Sequence, residues 1–176
     1  MRGLMMGRFQ PFHLGHLDLV KQILAECDDV VIAITSSQFN YLEKDPFTAS
    51  ERIEMIHQTL KEANVDLSKC FIIPIENQFN IVTWASYVKS ILPQFNKVYS
   101  GNEYVSMLLA DAGVQVIAPK FLDRNRYNAT NIRNLIAEDK DWQNFVPSAV
   151  VNVIKKINGI NRLKIISKSD TKPTEH

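Results

Sequence analysis

Cysteine is scarce in this chain: Cys27 and Cys70 are the only two in 176 residues, and both sit in apolar surroundings without metal-like spacing. That excludes a disulfide framework and a zinc-binding pattern, and it leaves both as small core residues of a reduced, cytoplasmic protein. An excess of charge of either sign is lacking too, since Lys+Arg 20 against Asp+Glu 19 leaves a formal +1. A nucleic-acid coat and an electrostatic membrane binder are thereby excluded, and any anion site has to be local. No apolar run approaches the length of a membrane span, and the opening MRGLMMGRF is broken by Arg2, Gly7 and Arg8 with no cleavage pattern. Neither a span nor an export signal is expected. The Gly-Lys-Ser/Thr ending of a Walker loop is absent, as are internal repeats and low-complexity inserts.

What is present is a recurring strand-helix alternation. Gly3 to Met6 is apolar and stops at Gly7, and Leu14, Leu17, Val20, Ile23 and Leu24 then follow at helical spacing through Glu26. Val30 to Thr35 is continuous and β-branched, and Thr48 stands three residues before Glu51, a capping box that opens a helix to about Ala63. Phe71 to Ile75, Lys97 to Tyr99 and Val114 to Ile117 are three more strand candidates. Helices are expected over Ile81 to Leu92, ended by Pro93, and over Glu103 to Ala112, ended by Gly113. A polar, arginine-bearing loop from Asp123 to Tyr127 leads to helices from about Asn131 to Glu138 and after Pro147. Continuous apolar strands imply burial on both faces, which a parallel sheet between crossover helices requires. The fold class is therefore α/β: a doubly wound, Rossmann-like parallel sheet of about five strands with helices on both faces and a C-terminal helical extension. At 45% hydrophobic the chain supports one core, so residues 1–166 are read as a single domain and the polar stretch 167–176 as a mobile tail.

In such sheets ligands bind outside the carboxyl ends of the strands, where strand order reverses. The segment Gly7-Arg8-Phe9-Gln10-Pro11-Phe12-His13-Leu14-Gly15-His16 stands at the first such end. It combines a guanidinium, two imidazoles and two glycines at a helix start, the donor set a phosphate needs. His13 and His16, three apart, fall on one side of the first helical turn, and their neighbours offer no third metal ligand. Ser100-Gly101-Asn102 after the fourth strand offers backbone groups to a base or ribose, and Asn102 serves equally as a helix cap.

The GRFQPFHLGH segment resembles the HxGH signature of the nucleotidyltransferase superfamily, and in its longer form the group containing nicotinamide-mononucleotide adenylyltransferases. The likeness continues through Asp45-Pro46-Phe47-Thr48-Ala49 with Glu51-Arg52, Tyr99 to Asn102, Arg126-Tyr127, Thr130, Ile132-Arg133, and Ile157 to Ile160 with Arg162, an order similar to the archaeal NAD-synthesising enzymes. The resemblance implies direct in-line attack by the 5′-phosphate of nicotinamide mononucleotide on the α-phosphorus of ATP. Alignment and charge stabilisation then replace a side-chain nucleophile. It implies catalytic roles for His13, His16, Arg8 and Arg133, with the histidines on the ATP phosphates, Arg8 at the mononucleotide phosphate or bridging region, and Arg133 on the β- and γ-phosphates. ATP contacts are implied for Gly7, Phe9, Gly15, Ser100, Gly101, Asn102, Arg126, Thr130 and Ile132, and mononucleotide contacts for Lys44, Asn80 and Trp84, the last of which could equally be a core residue. Mg²⁺ would be bound through the ATP phosphates, with no protein metal site.

The resemblance further implies ATP and nicotinamide mononucleotide as substrates, no nucleic-acid or membrane partner, and a homo-oligomer, often hexameric in the archaeal group. Two departures stand out: Asn128 replaces a hydroxyl residue of the second motif, and Lys44 replaces an arginine, keeping charge without bidentate geometry. Two alternatives stay open: a sister enzyme using flavin mononucleotide, phosphopantetheine or a phosphorylated alcohol, and a non-catalytic nucleotide-binding module.

Overall fold

A computed structural model describes residues 1–120, 123 and 126–169. Five parallel strands form one sheet: β1 (Arg2–Gly7), β2 (Asp29–Ile34), β3 (Cys70–Pro74), β4 (Lys97–Tyr99) and β5 (Gln115–Ile117), in the order β3-β2-β1-β4-β5. Seven α-helices are described: α1 (Leu14–Glu26), α2 (Ala49–Glu62), α3 (Ile81–Ile91), α4 (Glu103–Asp111), α5 (Ala129–Ala137), α6 (Ser148–Lys156) and α7 (Gly159–Lys168). The expected doubly wound arrangement is present, because side chains alternate across each strand while both faces are covered. Along β2, Val30, Ile32 and Ile34 pack with residues of α1, α2, α5, α6 and α7, whereas Val31 and Ala33 pack with α3 and α4.

The Thr48 capping box forms as expected, with the Thr48 amide donating to Glu51 Oε2 at 2.9 Å and the Glu51 amide to Thr48 Oγ1 at 3.2 Å. Pro74 is the last residue of β3. This is tolerated because β3 is an edge strand, where one row of amides has no partner strand. The tail boundary needs correction: Ser167 and Lys168 belong to α7, whose Leu163 is buried and anchors the helix to the core. Residues 170–176 of the expected tail, and Arg124 and Asn125 of the expected arginine-bearing loop, lie outside the described residues. Among the described residues no helix is long and apolar enough to cross a membrane.

Candidate active site

Strand order reverses between β1 and β4, and the carboxyl ends of β1, β2 and β4 open there into a cavity of about 450 Å³. Gly7, Arg8, Ser36, Ser100 and Asn102 form its floor and sides, and Trp84, Ile81 and Tyr104 supply an apolar wall. Beside it lies a second hollow of about 410 Å³ lined by His13, Gly15, His16, Tyr127, Thr130 and Arg133. Arg8 and Asn102 line both. A third, smaller hollow of about 190 Å³ holds Lys44, Thr130 and Arg133, again with Arg8 on its rim. Arg8 therefore stands where three recesses meet.

His13 occupies the N-cap of α1 and His16 the third helical position. Their rings stack with centroids 3.5 Å apart and 19° between planes. The His13 backbone amide donates to His16 Nδ1 at 3.2 Å, which leaves Nε2 of His16 as the protonated, donating nitrogen. Phe9 meets the His16 ring edge-on at 4.8 Å and Phe12 packs at 5.3 Å, so the imidazole is held in one orientation. Gly15 leaves room beside this stack, since a Cβ there would lie 3.3 Å from the His13 ring and 3.2 Å from Tyr127 Cβ. Phe9 supports the pair from a backbone with φ of 52°, a strained conformation that appears at functional turns.

Burial lowers the pKa of His13 to about 4, and burial together with the neighbouring His13 lowers that of His16 well below 6.5. Both rings are neutral at pH 7, and His13 Nδ1 is buried without a hydrogen-bond partner among the described residues. Because the folded pKa lies below the unfolded value of 6.5, the unfolded chain binds more protons in mild acid. The stability that His13 contributes is complete above pH 6.5 and is lost as pH falls toward about 4, a change on the order of 3 kcal/mol. Melting curves between neutral pH and the His13 value should therefore fall less steeply for His13→Asn than for the wild type. Parallel curves would contradict it.

Arg133 projects from α5 and is buried, donating from Nη1 to the Gln10 carbonyl at 2.9 Å and from Nη2 to Thr130 Oγ1 at 3.2 Å. Burial, followed by the charge of Arg8, lowers its pKa, so an arriving anion would relieve an unfavourable environment. Arg8 approaches Asp45 Oδ2 at 3.6 Å and the Lys44 carbonyl at 3.5 Å. Asn128, the departure from the family's hydroxyl residue, accepts from the amides of Thr130 at 2.9 Å and Asn131 at 3.4 Å. It caps α5 as a hydroxyl would, so the helix start behind Arg133 keeps its shape.

The other sequence candidates are placed unevenly. Gly7, Ser100 and Asn102, implied as ATP contacts, share the first cavity with Arg8 and with Trp84, implied for the mononucleotide; Asn102 and Arg8 also line the second, with Phe9, His13, Gly15, His16, Thr130 and Arg133, whereas Gly7 and Ser100 do not. Gly101 links Ser100 to Asn102, whose side chain caps α4. Ile132 is buried in the core and supports α5 by packing. Lys44 lies in the hollow with Thr130 and Arg133, while Trp84 lines the first cavity. Asn80 caps α3 through its side-chain oxygen on the Val82 amide at 3.1 Å, and it is Asn77 and Gln78 that line the cavity. Arg126 sits over the rings of Tyr127 and Phe145, 5.6 and 5.9 Å from their centroids.

Arg52 supports the site without being among the sequence candidates. Completely buried on α2, it donates to the carbonyls of Arg8 and Thr35 at 2.9 Å, Ser36 at 3.1 Å and Thr48 at 3.2 Å, tying the ends of β1 and β2 together. Burial brings its pKa down to about 10, so it remains charged at neutral pH. The available signal was a lone charge on the apolar stripe of a helix: Arg52 shares its face with Met55, Ile56, Thr59 and Leu60. Among the described residues no cluster of three or more His, Cys, Asp or Glu could hold a metal ion. The donors that converge here are guanidinium, ammonium and imidazole groups, a set that suits phosphate.

Residues 4–135 match the cytidylyltransferase-like family. Over 173 residues the chain is 44% identical to a nicotinamide-nucleotide adenylyltransferase of Caldivirga maquilingensis, covering 98% of this chain and 97% of that one. It is 46% identical to the protein of that name from Pyrobaculum arsenaticum, with the same coverage of 98% and 97%. A Methanospirillum hungatei relative of the same name is 42% identical over 169 residues, 96% of this chain and 95% of that protein. Among solved structures, a bifunctional NMN adenylyltransferase/ADP ribose pyrophosphatase from Francisella tularensis, complexed with AMP and a manganese ion, shares the fold with a TM-score of 0.78 at 19% identity. That match covers 98% of this chain but 57% of the bifunctional protein.

Proposed function

The chain belongs to the cytidylyltransferase-like family, and within it to the nicotinamide-nucleotide adenylyltransferases, and from that premise we propose that it joins nicotinamide mononucleotide to the adenylyl group of ATP, giving NAD and pyrophosphate. The observation that carries the reading is the pair of similarly sized hollows that meet at Arg8 and Asn102 beside the stacked histidines. Each suits one nucleotide. The first, with Trp84 and Tyr104, takes the pyridine ring; the second, with the histidines, Thr130 and Arg133, takes ATP, and Lys44 receives the far phosphates.

A 5′-phosphate oxygen of the mononucleotide attacks the α-phosphorus as the bond to the bridging oxygen breaks, and pyrophosphate leaves with the electron pair. Arg8, at the junction of the recesses, aligns the two anions and reduces their repulsion. His16 presents its Nε2 proton to the α-phosphate, where charge is redistributed in the transition state. Arg133 and Lys44 steady the departing pyrophosphate. A divalent cation, Mg²⁺ by preference, would be held by ATP oxygens and water and would add charge neutralisation. The non-catalytic alternative rests on Asn128 and Lys44; Asn128 caps α5 at the Thr130 amide, and Lys44 keeps its positive charge in the hollow beside Arg133. Free Cys27 and Cys70 suit a reducing cytoplasm. Phe79 and Val82, 87% and 86% exposed, suit burial against a second copy in a homo-oligomer.

The test is pyrophosphate release from ATP and Mg²⁺ with nicotinamide mononucleotide, flavin mononucleotide or phosphopantetheine as acceptor. Release is expected with the first alone; release only with another would transfer the site to a sister reaction. Trp84→Ala should raise KM for the mononucleotide by about tenfold through lost ring contact and leave KM for ATP nearly unchanged. An unchanged mononucleotide KM would remove Trp84 from the ring pocket.

A further inference from the structure

The segment that brings Lys44 and Asp45 to Arg8 has little regular structure of its own, and its ends are held from outside. Leu42 and Asp45 exchange backbone hydrogen bonds of 3.1 and 3.3 Å. On one flank Gln10 grips Phe47 in both directions, at 2.9 and 3.0 Å. A second grip, which spans both sides of the segment, comes from α7. Arg162 donates from Nη1 to the Pro46 carbonyl at 3.1 Å and pairs with both Glu51 oxygens at 2.7 and 2.8 Å, while its guanidinium lies 4.5 Å from the centroid of the Tyr41 ring. The pair is largely buried, with side-chain exposures of 14% and 15%, so water screens it weakly. Next along α7, Leu163 lines the hollow that contains Lys44 and Arg133.

We propose that Arg162 is a positioning residue: by holding Tyr41, Pro46 and Glu51 together from α7, it keeps Lys44 and Asp45 in place against Arg8 at the phosphate end of the site. An irregular loop left free would lose conformational entropy whenever ATP bound, and holding it beforehand removes that penalty from binding. The bidentate geometry with Glu51 is available to arginine and not to lysine, whereas the cationic contact with Tyr41 is available to both. The inference rests on the adenylyl-transfer reading, in which the small hollow receives ATP phosphates.

The experiment uses the full chain with Arg162→Ala, Arg162→Lys and Tyr41→Leu, measuring kcat and KM for each substrate and, separately, ATP affinity by calorimetry without acceptor. Arg162→Ala should raise KM and Kd for ATP by about tenfold and change KM for the mononucleotide by less than about twofold. Arg162→Lys should recover part of the loss, and Tyr41→Leu should show a smaller shift in the same direction. A fall in melting temperature with unchanged ATP constants would make Arg162 purely structural and overturn the proposal. Should Arg162→Ala fail to fold, unchanged ATP affinity in both other variants would overturn it as well. The calorimetric arm keeps the two readings apart: wild type that binds ATP but makes no NAD refutes the reaction, while the Arg162 effect on ATP affinity still decides the loop.

Discussion

His16→Ala is expected to lower kcat for NAD formation by roughly two to three orders of magnitude, with KM for ATP changed far less. The reason lies in how the ring is held. Its Nδ1 is occupied by the His13 amide, and Phe9 and Phe12 fix its plane, so in the proposed reaction Nε2–H would need no reorganisation when charge shifts on the α-phosphate. On the proposed reading Arg8, Arg133 and Lys44 still hold the triphosphate, which is why ground-state affinity should survive. Single-turnover rates with saturating substrates would measure the effect directly, with a melting curve to show that the fold persists. A kcat within about tenfold of wild type would remove His16 from the transition state.

Arg133→Ala should produce the second large effect, raising KM for ATP by about a hundredfold and lowering stability as well. The guanidinium is the donor to the Gln10 carbonyl, and Gln10 in turn grips Phe47 at the end of the Lys44 segment. Truncation would therefore remove the proposed phosphate ligand and leave a buried carbonyl without its donor, at a cost of about 1–3 kcal/mol. Arg133→Lys keeps the charge but cannot reach Gln10 and Thr130 together, so it should fall between wild type and Arg133→Ala. Equal ATP constants for all three proteins would show that Arg133 supports the fold and does not meet the nucleotide.

Much of this molecule was written in local sequence. The five strands and the helices after them were legible because burial on both faces leaves continuous apolar runs, and helical spacing repeats within a few residues. The Thr48–Glu51 cap was legible for the same reason: both partners lie within one turn. The histidine segment could be located from chemistry alone, since two imidazoles, an arginine and glycines at a strand end have few other uses.

Tertiary structure decided which side chains share a recess. Lys44 joins Thr130 and Arg133 while Trp84 faces another cavity, and Asn77 and Gln78, rather than Asn80, line that cavity. Arg162 reaches back 111 residues to Glu51, and Arg52 joins the ends of two strands through backbone carbonyls that no residue pattern encodes. Periodicity reports what a residue does within its own helix or strand. The meeting of β1 and β4 at the site, and of α7 with the segment before α2, depends on the strand order β3-β2-β1-β4-β5 and on how the helices pack across it, which only the folded chain determines.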